Sequence, residues 1–157
     1  MKLIELLDPE AVTVSIQSNN KEGVLSELVD LLVKSGSIKK AEKDMVLKKL
    51  KEREVLGSTG IGKGVGIPHA KCPFVKKMVA AIGISKEPVD FKSLDGEPTH
   101  IFFLLIAPGD NPGPHLKSLA KISRLLDDKF IRDRLRSAQD SAQVLKIIKD
   151  EEQKKLV

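Results

Sequence analysis

Two kinds of apolar pattern alternate along the chain. Leu25, Leu28, Val29 and Leu32 recur at i, i+3, i+4 and i+7, the stripe of a helix packed on one side. Asn19 or Asn20 can cap its start, and Gly36 lies beyond its end. A second helix is predicted from Lys39 to Glu54, burying Met45, Val46 and Leu50 and turning its Lys and Glu residues to water. By contrast, AVTVSI (11–16), MVAAIGIS (78–85) and THIFFLLIA (99–107) have the content of strands. The last is apolar almost throughout, which suits a central strand covered on both faces. Leu3 to Leu7 predicts a short helix ended near Asp8-Pro9. A turn-rich loop at Gly109–Pro114 leads into a helix whose first position suits Pro114 and whose apolar side carries Leu116, Leu119, Ala120 and Leu126. Helices follow around 128–138 and 140–152. Strands interleaved with helices predict an α/β sandwich. With 157 residues and no repeat, low-complexity segment or long linker, one domain over 1–157 is expected.

Composition narrows the class. Apolar residues at 41% and charged residues at 31% are the balance of a soluble globular chain. The longest apolar run, Ile101–Ala107, is too short to span a bilayer. Acidic residues at Glu5 and Asp8 argue against a signal peptide, and the single cysteine excludes an internal disulfide. A cytoplasmic location is expected. The net charge of +5 and the stretch KKLKER (48–53) raise nucleic acid as a partner, but the lysines alternate with Glu and Asp and aromatics are scarce, so they read as a solvated helix face. A basic surface also suits an acidic protein partner.

The segment GSTGIGKGVGIPHAK (57–71) carries the candidate chemistry, with five glycines ahead of Pro68 and His69. Gly57, Gly62 and Lys63 match the start of a phosphate-binding loop, but Gly64 stands where Ser or Thr must hold magnesium, and a helix precedes where a strand is needed. A dinucleotide fingerprint starting at Gly60 and Gly62 meets Val65 at its third glycine position. A metal would have to draw on His69, His100, His115 and Asp110, none of them at helical ligand spacing. A Cys72–His69 nucleophilic pair lacks a motif, and Cys72 reads better as a small buried thiol. The remaining candidate is His69 itself as a nucleophile toward phosphorus, since a neutral imidazole titrates near neutrality. Glycines at 60, 62, 64 and 66 would keep the backbone thin and let amides face a phosphoryl group, and Pro68 would stiffen the approach. A plain turn between strands, with an incidental histidine, explains the same residues.

Arg53, Glu54, Ser58, Thr59, Gly60, Gly62, Gly64, Ile67, Pro68 and His69 resemble, in order, the signature of the fructose/mannitol-type enzyme IIA family of the bacterial phosphotransferase system, which includes a nitrogen-regulatory branch. Gly66 departs from it, standing where the family commonly has Ala. LIELLDPEAV, DGEPTHIFFLLIAP and PHLKSLAKISRLL extend the resemblance over most of the chain. It implies a mixed β-sheet flanked by helices on both faces, a three-layer sandwich. It also implies that His69 is phosphorylated, that Arg53 neutralises the phosphoryl oxygens, and that His115 lies beside His69. Arg53 suits bidentate phosphate contact, and a helix start at His115 favours an anion, although a capping or surface histidine is the plainer account of that residue. His100, inside an apolar strand, is expected to be structural. The implied partners are an HPr-like phosphocarrier upstream and a IIB domain or a regulatory protein target downstream, with only indirect association with a membrane permease. No cofactor, metal or nucleic acid is implied. A sugar-system IIA component passing phosphate from His69 to a IIB cysteine is the leading expectation. A nitrogen-type regulator and an unphosphorylated IIA-like binding module are the alternatives.

Overall fold

The computed structural model describes residues 1–109 and 112–154. A 3-10 turn at Leu3–Leu6 leads into β1 (Leu7–Thr13) and α1 (Lys21–Lys34), and after a second 3-10 turn the chain forms α2 (Lys43–Val55). Three very short strands follow, β2 (Gly60–Gly62), β3 (Val65–Gly66) and β4 (His69–Lys71), then two long ones, β5 (Val79–Val89) and β6 (Thr99–Ala107). The helices α3 (Pro112–Asp127), α4 (Lys129–Ser137) and α5 (Ser141–Lys154) complete the order.

The strands form one mixed sheet in the order β1-β5-β6-β3-β2, with β4 also pairing β6. Strand β6 matches its predicted span and holds the middle, antiparallel to β5 and parallel to β3 and β4. Its side chains alternate. Ile101, Phe103 and Leu105 join Ile122, Leu126, Ile131 and Ile148 on the face covered by α3, α4 and α5. Phe102, Leu104 and Ile106 join Leu25, Leu28, Val46 and Leu50 on the face covered by α1 and α2. The near-continuous apolar run in β6 is therefore two interleaved sets, each buried by its own helical layer. The expected three-layer α/β arrangement is the observed one.

Helix α1 starts where the sequence placed its cap, with the Asn20 side chain accepting from the Gly23 amide at 2.8 Å. Other expectations shift. Strand β1 begins at Leu7, not Ala11, and Pro9 lies inside it: β1 is the edge of the sheet, and its register slips between Leu7 and Val12, where Asp8, Pro9 and Glu10 are exposed. Met45, expected in the core, is 54% exposed, so the inward face of α2 is narrower than its apolar content. Helix α3 starts two residues before Pro114 and is turned on its axis. Leu116, expected inside, is 63% exposed, while His115, Ser118, Ile122, Leu125 and Leu126 face in.

The glycine segment is a hairpin laid against β6. Lys63 and Gly64 both have positive φ, 60° and 78°, as a two-residue turn joining strands of right-handed twist requires. Gly62 has a φ of 100°, a conformation that strains any other residue, and a Cβ there would also stand 2.9 Å from Asp95 Oδ2. Beyond the hairpin the chain keeps its register on β6: Val65 faces Ile101 and His69 faces Leu105, an offset of 36 at both points. Pro68 interrupts the strand without displacing it, and its carbonyl accepts the Leu105 amide at 3.0 Å. His69 is thus held at a fixed height on the central strand.

Candidate functional site

His69 sits where the sheet is one strand narrower, because the β2–β3 hairpin ends before it and, among the described residues, β4 pairs only with β6. Both helical layers reach the histidine across this edge. From one layer comes Arg53, in the last turn of α2, whose Nε donates to His69 Nε2 at 3.3 Å. From the other comes His115 of α3, its ring centroid 5.6 Å from that of His69 and inclined by 66°. An open cavity of about 410 Å³ lies over them, bordered by Leu56, Lys71 and Leu116. Leu56 and Leu116 are 84% and 63% exposed, so the rim is apolar on both sides.

The hydrogen bonds fix the tautomer of His69. Its Nδ1 lies 2.8 Å from the Ile67 carbonyl, which can only accept, so Nδ1 carries the proton. Nε2 then keeps its lone pair, which accepts from Arg53. Burial holds the His69 pKa below the ordinary histidine value. The Arg53 charge adds to this, while the Ile67 carbonyl and the Glu54 charge oppose it. At neutral pH the ring is therefore neutral and nucleophilic. The second guanidinium bond, Arg53 Nη1 to the Gly57 carbonyl at 2.8 Å, anchors the fork from behind.

His115 is only 4% exposed, and neither ring nitrogen has a hydrogen-bond partner among the described residues. Burial, with smaller effects from His69 and Lys71, pushes its pKa down to about 4. It is a neutral ring with one N–H available beside the His69 lone pair, not a second cation. Because Pro112 and Pro114 have no N–H, the first turn of α3 offers few amides to an anion, and the side chain of His115 is its main polar group at the site.

Several expectations find a different place. The glycines build the hairpin instead of an amide cradle: the Gly60 amide donates to Ser58 Oγ, and the Gly64 carbonyl accepts from His100 and Ile101. His100 lies away from the pair formed by His69 and His115, with Nδ1 3.0 Å from the Ser85 carbonyl. Asp110 lies outside the described residues. Among those described, no group of three or more His, Cys, Asp or Glu is arranged to hold a metal. Cys72 is buried, and burial pushes its thiol up to about 11, which leaves it protonated at neutral pH.

Sequence reasoning gave no role to Glu54, which is central to the local structure. Its carboxylate accepts from Lys21 Nζ at 2.8 Å, from the Thr59 amide at 3.1 Å and from Thr59 Oγ1 at 2.5 Å. Lys21 also reaches Ser58 Oγ and covers the Phe91 ring, 4.7 Å from its centre. The signal was present in the adjacency of Glu54 to Arg53 and in the following Ser58-Thr59, whose hydroxyls are common partners of a carboxylate after a helix end.

Comparison with known proteins is consistent with this geometry. A family model described as "Phosphoenolpyruvate-dependent sugar phosphotransferase system, EIIA 2" matches residues 5–151. The "Nitrogen regulatory protein" of Bradyrhizobium diazoefficiens is 36% identical over 148 residues, covering 94% of this chain and 95% of that protein. The "PTS system fructose-specific EIIABC component" of Bacillus subtilis is 39% identical over 150 residues, 94% of this chain but 23% of that protein. The crystal structure of nitrogen regulatory protein IIA-Ntr from Neisseria meningitidis superposes with a TM-score of 0.83 at 32% identity, covering 92% of this chain and 97% of that one. No helix among the described residues is long and apolar enough to cross a membrane.

Proposed function

The chain belongs to the EIIA 2 family of the phosphoenolpyruvate-dependent sugar phosphotransferase system, and from that premise we propose that it carries a phosphoryl group on Nε2 of His69, received from an HPr-like phosphocarrier and passed to a IIB cysteine. The observation that carries the reading is the tie between Nδ1 and the Ile67 carbonyl, which leaves Nε2 as the unprotonated nitrogen; its lone pair is released for attack when Arg53 turns from it to the incoming phosphoryl oxygens. In the transfer the Nε2 lone pair forms the new N–P bond while the donor's N–P bond breaks and its electron pair returns to the donor ring. Nδ1 keeps its proton, and the Ile67 carbonyl supports the positive charge that develops on the ring. Alignment and charge neutralisation are what such a transfer demands. Arg53 supplies the positive charge, and His115 donates an N–H to a phosphoryl oxygen. The exposed Leu56 and Leu116 give a visiting protein an apolar rim to dock on. In this role the protein works in the cytoplasm and meets a membrane permease only through its partners.

A second reading is a nitrogen-type regulator that acts on target proteins according to its phosphorylation state. It is favoured by the 36% identity to a nitrogen regulatory protein along 94% of this chain. Both readings require the same phosphohistidine. Incubation with phosphoenolpyruvate, enzyme I and the phosphocarrier is expected to label the protein with an acid-labile, base-stable phosphate, and His69→Ala to abolish the label. An unlabelled protein beside an active control refutes both readings and leaves a IIA-like binding module. A labelled protein that discharges to a purified IIB domain supports the sugar-system reading; one that discharges to no IIB supports the regulator.

A further inference from the structure

The β2–β3 hairpin is missing one hydrogen bond that its geometry calls for. Gly60 pairs with Gly66, and the next pair outward is Thr59 with Ile67, where the Ile67 amide donates to the Thr59 carbonyl at 2.9 Å. In an antiparallel ladder such a pair exchanges two bonds, so the Thr59 amide should return to the Ile67 carbonyl. Instead that amide donates to Glu54 Oε1 at 3.1 Å, and the Ile67 carbonyl accepts Nδ1 of His69. The same carboxylate, with Lys21 and Ser58, fixes the loop that follows α2. That loop includes Gly57, whose carbonyl accepts Arg53 Nη1. One buried side chain, 7% exposed, thus stands behind both hydrogen bonds that orient the reacting pair.

We propose that Glu54 is a positioning residue: by taking the Thr59 amide it frees the Ile67 carbonyl to hold His69 in the Nδ1–H tautomer, and by fixing the Gly57 loop it aims Arg53 at Nε2. Lys21 anchors Glu54 in this role. The proposal rests on His69 as the phosphoryl acceptor for its consequence in transfer, but the tautomer it assigns is a property of the unphosphorylated protein. Without Glu54 the Thr59 amide turns to its ladder partner and competes with Nδ1 for the Ile67 carbonyl, while the Gly57 loop that aims the Arg53 donor at Nε2 loosens, so neither contact holds the ring to one tautomer. The fraction with the proton on Nε2 has no lone pair there to attack phosphorus. The other groups facing the ring, Arg53, His115 and Lys71, are unchanged in identity, and Arg53 shifts only through the Gly57 loop that Glu54 fixes.

The test reads the His69 tautomer by ¹⁵N NMR and phosphoryl acceptance by rapid quench in the same variants. The wild type is expected to show the Nδ1–H form alone. Glu54→Ala is expected to show both tautomers. Its kcat should fall about tenfold or more, within the range that misplacement of a reacting group produces. Glu54→Gln keeps an oxygen for the Thr59 amide and is expected to restore the single tautomer. Lys21→Met, which leaves the carboxylate but unanchors it, covers the case in which Glu54→Ala does not fold, and is expected to show a smaller admixture of the second tautomer. A folded Glu54→Ala or Lys21→Met protein that keeps the single tautomer, or that keeps wild-type kcat, overturns the proposal. A wild type that takes no label refutes the phosphocarrier reading instead, and the tautomer comparison still stands.

Discussion

Replacing Arg53 by glutamine removes one positive charge from a position 3.3 Å from the nitrogen proposed to take the phosphoryl group. Unit charges about 4 Å apart interact by about 4 kcal/mol at the effective dielectric of a partly exposed site, roughly 20. Only the part that grows between ground state and transition state changes the rate. Single preorganised donors in comparable sites are worth about 2.7–4 kcal/mol, or 10²–10³ in rate. The two figures agree, so Arg53→Gln is expected to slow acceptance from the phosphocarrier by about 10²–10³-fold. Arg53→Lys should fall between it and the wild type, because an ammonium keeps the charge but cannot serve His69 and the Gly57 carbonyl from one planar fork. The assay is rapid-quench transfer from labelled phosphocarrier, with circular dichroism to confirm folding. A folded Arg53→Gln protein that accepts phosphate within a factor of a few of the wild-type rate would remove electrostatic neutralisation by Arg53 from the mechanism.

Acid should destabilise the fold through His115. Its native pKa is about 4, so between the ordinary value near 6.5 and 4 the unfolded chain binds a proton that the native one refuses. The contribution is intact above that window and lost as pH falls through it, about 3 kcal/mol in all at 1.36 kcal/mol per unit. His69, whose pKa is also lowered, acts in the same direction. Denaturant titrations at pH 7 and pH 4.5 should show a drop in stability that His115→Asn reduces; an equal drop with and without His115 would contradict it. Gly66→Ala should cost less melting temperature than Gly83→Ala, because its new Cβ meets the buried rings of Phe91 and Phe102 at 3.3–3.4 Å, whereas Gly83→Ala meets Ile16 at 2.6 Å and should cost about 1–3 kcal/mol. Equal melting temperatures for the two would show that the β5 site has slack the packing does not suggest. Leu50→Ala, at a fully buried position on the inner face of α2, should cost about 2–5 kcal/mol in denaturant unfolding, and a cost under 1 would mean that the layer collapses into the gap.

Much of this molecule was readable in its residues because apolar patterning dominates it. Strand β6 was delimited to the residue, since nine residues of nearly unbroken apolar character between Pro98 and Pro108 leave no other register. Arg53 and His69 were legible through one ordered motif. His115 was matched by resemblance, but the helix bearing it was given the wrong face: hydropathy prefers Leu116 inside, and only the site's geometry reverses the two. The role of Glu54 was not legible at all. It depends on which amide opposes the Ile67 carbonyl across a hairpin, and that pairing exists only once the turn at Lys63–Gly64 sets the register. The glycines misled for the same reason, since a flexible run suggests an anion cradle until each is seen paired.

His69 draws one neighbour from each helical layer, Arg53 from the side of α1 and α2 and His115 from the side of α3, α4 and α5. Neither half of the sandwich can assemble the trio alone. A molecule in which one layer has frayed keeps its imidazole but not the full set of groups around it. In the proposed role, loss of packing in either layer would slow the acceptance of phosphate, so that single step would report on both halves of the sandwich at once.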